Sequence, residues 1–218
     1  MYSPSFYFWA IIRKVRRFYN HHIIKDKKFT LIGNDCVSGL ILKKYGLKYN
    51  TPTTFCRIKS DCFLTFVINL KTYVNTPLEV VNDSPNDVVC KLSPIGFPEI
   101  TLLFPHYSSF NYTLEAWKRR VKRINYNNIY IIFDLTDDDN ISNNDLLLFN
   151  ELKYKKIILY KEKTRCDLSN INDKYKMIFG KEFEHIICNQ IQNKWGDRLY
   201  TKYFELFDWA RWLNNKRL

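Results

Sequence analysis

The segment Ile129-Tyr-Ile-Ile-Phe constrains the fold most, because five apolar residues follow one another between Asn128 and Asp134. It is too short for a core helix and lacks the in-and-out alternation of a half-exposed strand. Such a run fits a strand buried on both faces, as in a parallel sheet covered by helices. Phe29-Thr-Leu-Ile and Lys156-Ile-Ile-Leu-Tyr repeat the pattern. Helical spacing lies between and around them: Val37 to Tyr45, with Gly46 at the expected C-cap; Asp61 to Tyr73, with Phe63, Phe66, Val67 and Leu70; Tyr112 to Arg123; Asn144 to Leu152; and Tyr200 to Leu213. A turn over Tyr49 to Cys56 leads into a second strand, and Ile100-Thr-Leu-Leu-Phe is another. The proline-rich stretch 74–98 reads as an irregular β excursion, and Glu184-His-Ile-Ile-Cys as a candidate last strand. The alternation predicts an α/β fold, three-layered, with a mostly parallel sheet and helices on both faces. It predicts a single domain over residues 29–218, preceded by a basic amphipathic arm over residues 1–28.

Composition sets the outer limits. With 218 residues and 46% hydrophobic content, area scaling buries about 70% of the extended surface, so no staple is required. The longest apolar run, Phe6 to Ile12, falls short of the roughly 20 residues that span a bilayer. Six cysteines form no C-x-x-C pair and four histidines no H-E-x-x-H. Free thiols in a reducing, cytoplasmic compartment are therefore expected, and no metal site.

The net charge of +12 is unevenly spread. Residues 1–28 carry seven basic residues (Arg13, Lys14, Arg16, Arg17, Lys25, Lys27, Lys28) against Asp26 alone. Positive charges follow the apolar stretch instead of preceding it, which is not the order of a secretory signal. Phe6, Phe8 and Trp9 followed by these cations suit a helix lying on an anionic membrane surface, at the inner membrane face. They equally suit a helix capping the domain with a solvated basic face. No recognition motif accompanies the charge, so nucleic acid is not the expected partner.

In a parallel sheet, ligands bind where loops leave the carboxyl ends of strands. Four stretches carry chemistry. Gly33-Asn34-Asp35-Cys36-Val37-Ser38-Gly39 enters a helix whose N–H groups suit a phosphate, oxyanion or carboxylate, and the same position would favour a Cys36 thiolate. Asn34 and Asp35 are also ordinary helix caps. His106, in Pro105-His106-Tyr107-Ser108-Ser109, is placed for a general base or for a backbone-satisfied side chain. Within Trp117-Lys-Arg-Arg-Val-Lys-Arg-Ile-Asn125, Arg119 and Arg123 stand four apart beside Arg120, as a phosphate clamp or a solvated face. Asp134-Leu-Thr-Asp137-Asp138-Asp139 suits sugar hydroxyls, a metal, or a solvated turn.

Together these blocks resemble the bacterial domain of unknown function 1919, whose members are often labelled exopolysaccharide biosynthesis proteins. The matching pieces are Phe29-Thr-Leu-Ile-Gly-Asn-Asp-Cys-Val-Ser-Gly, Leu47-Lys-Tyr-Asn-Thr-Pro-Thr, Asn69-Leu-Lys-Thr-Tyr, His106-Tyr, Trp117-Lys-Arg-Arg-Val-Lys-Arg-Ile-Asn, Phe149-Asn-Glu-Leu-Lys-Tyr-Lys-Lys-Ile and Phe207-Asp-Trp-Ala-Arg-Trp-Leu-Asn. They run from about residue 20 to the end. The family-like positions are Asn34, Cys36, Gly39, Pro52, His106, Tyr107, Trp117, Arg119, Arg120, Arg123 and Asn125. The chain departs from the pattern at Asp35 (Asn), Val37 (Trp) and Ser38 (Gly). The first turn also resembles the G-N-C-Q turn of a capsule-biosynthesis family thought to add acyl groups to polysaccharides.

The resemblance implies a transferase of surface polysaccharide biosynthesis, acting on a polysaccharide or sugar-linked precursor. As an O-acyltransferase it would use Cys36, or a sugar hydroxyl beside it, with His106 as base and Asn34 in the oxyanion hole. Gly33, Asp35, Ser38, Gly39, Tyr107, Trp117, Arg119, Arg120, Arg123 and Asn125 would bind substrate or phosphate. The donor would be a coenzyme A species or a nucleotide sugar. The alternatives are a glycosyltransferase using Asp134 or Asp137, and a non-catalytic module docking the polysaccharide machinery to the membrane.

Overall fold

A computed structural model describes residues 15, 18–136, 140–161, 168–169, 171, 176–179 and 207–214. The chain forms a mixed α/β domain whose described strands divide into two sheets. The parallel sheet has the order β1-β6-β7-β8: β1 (Thr30–Gly33), β6 (Ile129–Asp134), β7 (Lys155–Lys161) and β8 (Lys176–Phe179). The antiparallel sheet has the order β2-β5-β4-β3: β2 (Arg57–Ile58), β5 (Ile100–Phe104), β4 (Asp87–Leu92) and β3 (Glu79–Ser84).

The strand read as most buried is the centre of the parallel sheet: all six residues of β6 are buried. Its side chains alternate between two cores. Ile129, Ile131 and Phe133 join the core shared with the antiparallel sheet, while Tyr130 and Ile132 face the second core. The first core is filled from α3 (Ser60–Ile68), α4 (Leu70–Asn75), α5 (Phe110–Val121) and α6 (Asn143–Glu151). The second is filled from α2 (Val37–Lys44) and α7 (Trp209–Asn214). Trp209 and Trp212 lie edge to face there, with Trp212 against Tyr130.

Local chemistry explains the helix ends. Gly46 takes φ 62° after α2, and the Leu47 and Gly46 amides donate to the carbonyls of Leu42 and Lys43. That is a Schellman closure, which needs the left-handed residue glycine supplies. Ser142 and Asp145 cap each other's amides at the start of α6. The single helix expected over Asp61 to Tyr73 is two. At Asn69 the side-chain amide donates to the Thr65 carbonyl at 3.1 Å and the backbone leaves helical values. A short polar side chain bonding its own backbone offers the chain this way out of a helix.

Two strands expected beside the parallel ones, after Cys56 and over Ile100–Phe104, belong instead to the antiparallel sheet. The excursion over 74–98 is ordered into β3 and β4, a hairpin turning at Pro85-Asn86 with Asn86 at φ 63°.

The last part of the basic arm is helical over residues 18–23 (α1) and is tied into the domain. Ile24 is fully buried, and Asn214 of α7 accepts from the Lys25 amide and donates to the Ile23 carbonyl. Phe6, Phe8, Trp9, Arg13, Lys14, Arg16, Arg17, Asp137, Cys166, the 184–188 strand and the start of the closing helix at Tyr200 lie outside the described residues. Among the described residues, no helix is long and apolar enough to cross a membrane.

Candidate functional site

The carboxyl ends of β1 and β6 are joined by one side chain. Asn34 donates from Nδ2 to the Asp134 carbonyl at 2.8 Å, and its Oδ1 accepts from the Asp134 amide at 2.6 Å. Both residues are buried. A primary amide alone among short side chains offers donor and acceptor at this spacing, so Asn34 extends the strand pairing one step past its end. Its carbonyl then accepts from the Ile58 amide at 2.9 Å, drawing β2 against the same end. Asp134 is held in turn, because its Oδ1 accepts from the Thr136 amide at 3.0 Å and hydroxyl at 2.6 Å.

This stitching opens a crevice of about 400 Å³ between the two sheets, lined by Asn34, Asp35, Arg57, Lys59, Thr101 and Asp134 with Ile58, Val89 and Leu103. Asp35 pairs with Arg57 at 3.3 Å and also accepts from the Cys36 amide. Two acids, two cations, an amide and a hydroxyl therefore converge on an apolar floor. Arg57 and Lys59 were not singled out from sequence. They flank Ile58 in a segment with no motif, and pairing of β2 with β5 together with the Asn34–Ile58 bond brings them to the crevice.

Cys36 stands before α2 without a side-chain cap bond. Burial pushes its thiol up to about 12, with the Asp35 charge adding to the rise and Arg57 opposing it. Loss of solvent first, and the carboxylate beside it second, thus work against the thiolate expected at a helix start. His106 is exposed, and its ring meets Phe55 edge-on at 5.9 Å. Among the described residues no hydrogen bond links His106 to Cys36. The expected catalytic pair is thus not hydrogen-bonded, and its two members follow strands of different sheets. β5 runs antiparallel to β2 and β4 in the second sheet, so His106 leaves a strand that does not neighbour β1.

The other expected positions separate into packing and surface. A Cβ on Gly39 would come within 2.9 Å of Thr54 and 3.0 Å of the Phe55 ring, so this glycine permits the close approach of α2 to the 51–55 turn. Gly33 is buried, tightly packed on Ser38. The Ser38 hydroxyl is buried with no hydrogen-bond partner among the described residues. Trp117 is core, edge-on to Phe104. Tyr107 is buried and donates to the Thr54 carbonyl at 2.9 Å.

The arginine trio does not converge. Arg120 is buried; it donates to the Thr54 carbonyl at 3.0 Å and to the Tyr107 hydroxyl, between the rings of Tyr49 and Tyr107. Arg119 is exposed. Arg123 lies past the end of α5, where it donates to the Tyr49 carbonyl at 3.1 Å. Asn125 donates from its amide to Thr30 and from its side chain to the Lys28 carbonyl. Arg123 and Asn125 thus serve the opposite end of β1 from the crevice. The described residues contain no group of three or more His, Cys, Asp or Glu suited to a metal ion.

Comparison with known proteins agrees with the blocks read from the sequence. The family model for the Domain of unknown function (DUF1919) matches residues 9–214. A protein of Haemophilus influenzae, named only "Uncharacterized protein", is similar at 25% identity over 216 residues, covering 94% of this chain and 96% of that one.

Proposed function

The chain belongs to the DUF1919 family, and on that premise we propose that it is a transferase of surface polysaccharide biosynthesis, acting on a sugar-linked precursor in the Asn34–Asp134 crevice. The single observation that carries this reading is the convergence of Asp35, Arg57, Lys59 and Asp134 at the carboxyl ends of adjacent parallel strands. Paired carboxylate and amide groups over an apolar floor suit a sugar ring, whose hydroxyls need both donors and acceptors and whose C–H faces need apolar contact. Arg57 and Lys59 suit the phosphate or carboxylate of an activated precursor.

The chemistry favoured is direct transfer to a sugar hydroxyl. The hydroxyl oxygen forms a bond to the transferred group as the bond to its carrier breaks. Asp134, fixed in orientation by Thr136, is the acceptor for the hydroxyl proton. An acyl-cysteine step is less well served, because the Cys36 thiol is held protonated by burial and Asp35. The resemblance to exopolysaccharide biosynthesis proteins supplies the polysaccharide half of the proposal.

The test is a thermal-shift screen against nucleotide sugars, coenzyme A and acetyl-coenzyme A. A ligand at one hundred times its dissociation constant adds about 2.7 kcal/mol. Stabilisation of the wild type that disappears in Asp134→Asn and Arg57→Ala supports the proposal. A silent panel, or stabilisation unchanged in both variants, overturns it.

A further inference from the structure

At the amino ends of β1 and β6, away from the crevice, a second cavity of about 600 Å³ is lined by His21, Lys27, Lys28, Lys48, Arg123 and Asn125 over Phe29 and Leu47. Four permanent cations face it and no carboxylate lines it. Among the described residues, none of Lys27, Lys28, Lys48 and Arg123 is within ion-pair distance of an acid. Asp26, the nearest acid in sequence, accepts from the Lys28 amide at 2.8 Å.

The backbone around the cavity is fixed while the charged tips are not. The Lys28 carbonyl accepts from Asn125 at 2.6 Å and from Asn128 at 3.1 Å. The Phe29 carbonyl accepts from Asn50. Arg123 commits one Nη1 donor to Tyr49, and the rest of its five-donor fork has no partner among the described residues. Lys27, Lys28 and Lys48 are exposed. Like charges gathered without a counter-charge repel one another, and structural need does not explain them, since the hydrogen bonds here use backbone and asparagine amides.

We infer that this cavity binds a phosphate-bearing ligand with more than one negative charge, through Lys27, Lys28, Lys48 and Arg123. A single carboxylate would neutralise one cation of four; a diphosphate or a phosphorylated headgroup matches the set, with Arg123 supplying the fork and the lysines point charges. Two sources share this chemistry, a soluble diphosphate and the headgroup of an anionic lipid. The neighbourhood points first to lipid, because Val15, Phe18 and Tyr19, two to six residues before His21 in the chain, are exposed and offer apolar contact beside the cations.

The experiment uses the full chain and two probes, inorganic pyrophosphate followed by calorimetry and phosphatidylglycerol vesicles followed by co-sedimentation, with phosphatidylcholine vesicles as control. Binding of at least one probe, weakened at least tenfold in the triple variant Lys27→Gln, Lys28→Gln, Lys48→Gln and by added salt, is the expected result. The three positions are exposed, so the variant should fold, which its thermal midpoint checks. Vesicle binding that pyrophosphate displaces identifies lipid phosphate; pyrophosphate binding without vesicle binding identifies a soluble ligand. Binding of neither probe, or binding unchanged in the triple variant, overturns the inference. Arg57→Ala serves as the opposite control: it leaves this cavity intact, so failure here and failure of the crevice reading are separately visible.

Discussion

The two ends of the β1–β6 pair, about 16 Å apart at roughly 3.3 Å per residue from Phe29 to Asn34, solve the problem of charge differently. At the carboxyl ends, polar groups are bonded within the chain: buried Asn34 with the Asp134 backbone, buried Asp134 with Thr136, and the more exposed pair Asp35 with Arg57. At the amino ends, cations stay exposed and make no ion pair among the described residues, and neutral amides hold the backbone. Groups that are desolvated must be satisfied within the chain, whereas exposed charges are free to meet something outside it. The difference teaches that the crevice is built as part of the fold, while the basic cavity is carried by it.

That contrast is broken or sharpened most strongly by Asn34→Ala. It orphans the buried amide and carbonyl of Asp134, and the expected loss is about 2–4 kcal/mol in urea unfolding. A loss below about 1 kcal/mol would mean that the crevice end is not held by this clasp.

Alkaline pH acts next. Burial raises the thiols of Cys36, Cys56 and Cys90 and the phenols of Tyr45 and Tyr107 above their ordinary values. The folded chain then keeps protons that the unfolded chain releases, so this stability is complete below about pH 9 and is lost as pH rises toward 12. Lys155 acts the other way: burial lowers it to about 8, and its cost is relieved between there and its ordinary value. Burial raises the phenols of Tyr73, Tyr126 and Tyr130 in the same way, so eight thiols and phenols against one lysine predict a melting temperature that falls between about pH 8.5 and 10.5; a rising one would refute the assignment of these groups to the interior.

Smaller still is Arg57→Ala. Its pair with Asp35 is half-exposed on the arginine side, so less than about 1 kcal/mol of stability is expected to go, although ligand stabilisation at the crevice should vanish. Smallest is the Lys27, Lys28, Lys48 triple glutamine variant, whose unfolding free energy should stay within about 0.5 kcal/mol of wild type. A larger loss would make these lysines structural and erase the contrast between the two ends.

How much of this was legible in the sequence depends on how local the cause is. The buried strands at 30–33, 129–134 and 155–161 are written in continuous apolar runs, and the Gly46 cap in a single residue that tolerates positive φ. Asn34 was legible as a site residue, but as a helix cap or oxyanion donor; its observed partner lies one hundred residues away. His106 shows the limit most clearly. A strand followed by a helix looks the same from sequence whether the strand joins the parallel or the antiparallel sheet, and that choice decides where its following loop points. Arg119, Arg120 and Arg123 share one helical stretch, yet one is core, one exposed and one beyond the helix end, because burial depends on what packs against each turn.

The sequence by itself determined the α/β class, the most buried strand and the family, since these follow from apolar runs, helical spacing and ordered motifs. Only the tertiary structure decided the split into two sheets, the meeting of Arg57 and Lys59 with Asp134, and the basic cavity of Lys28, Lys48 and Arg123. Those depend on contacts between residues far apart in the chain, which no local pattern of charge or hydropathy encodes.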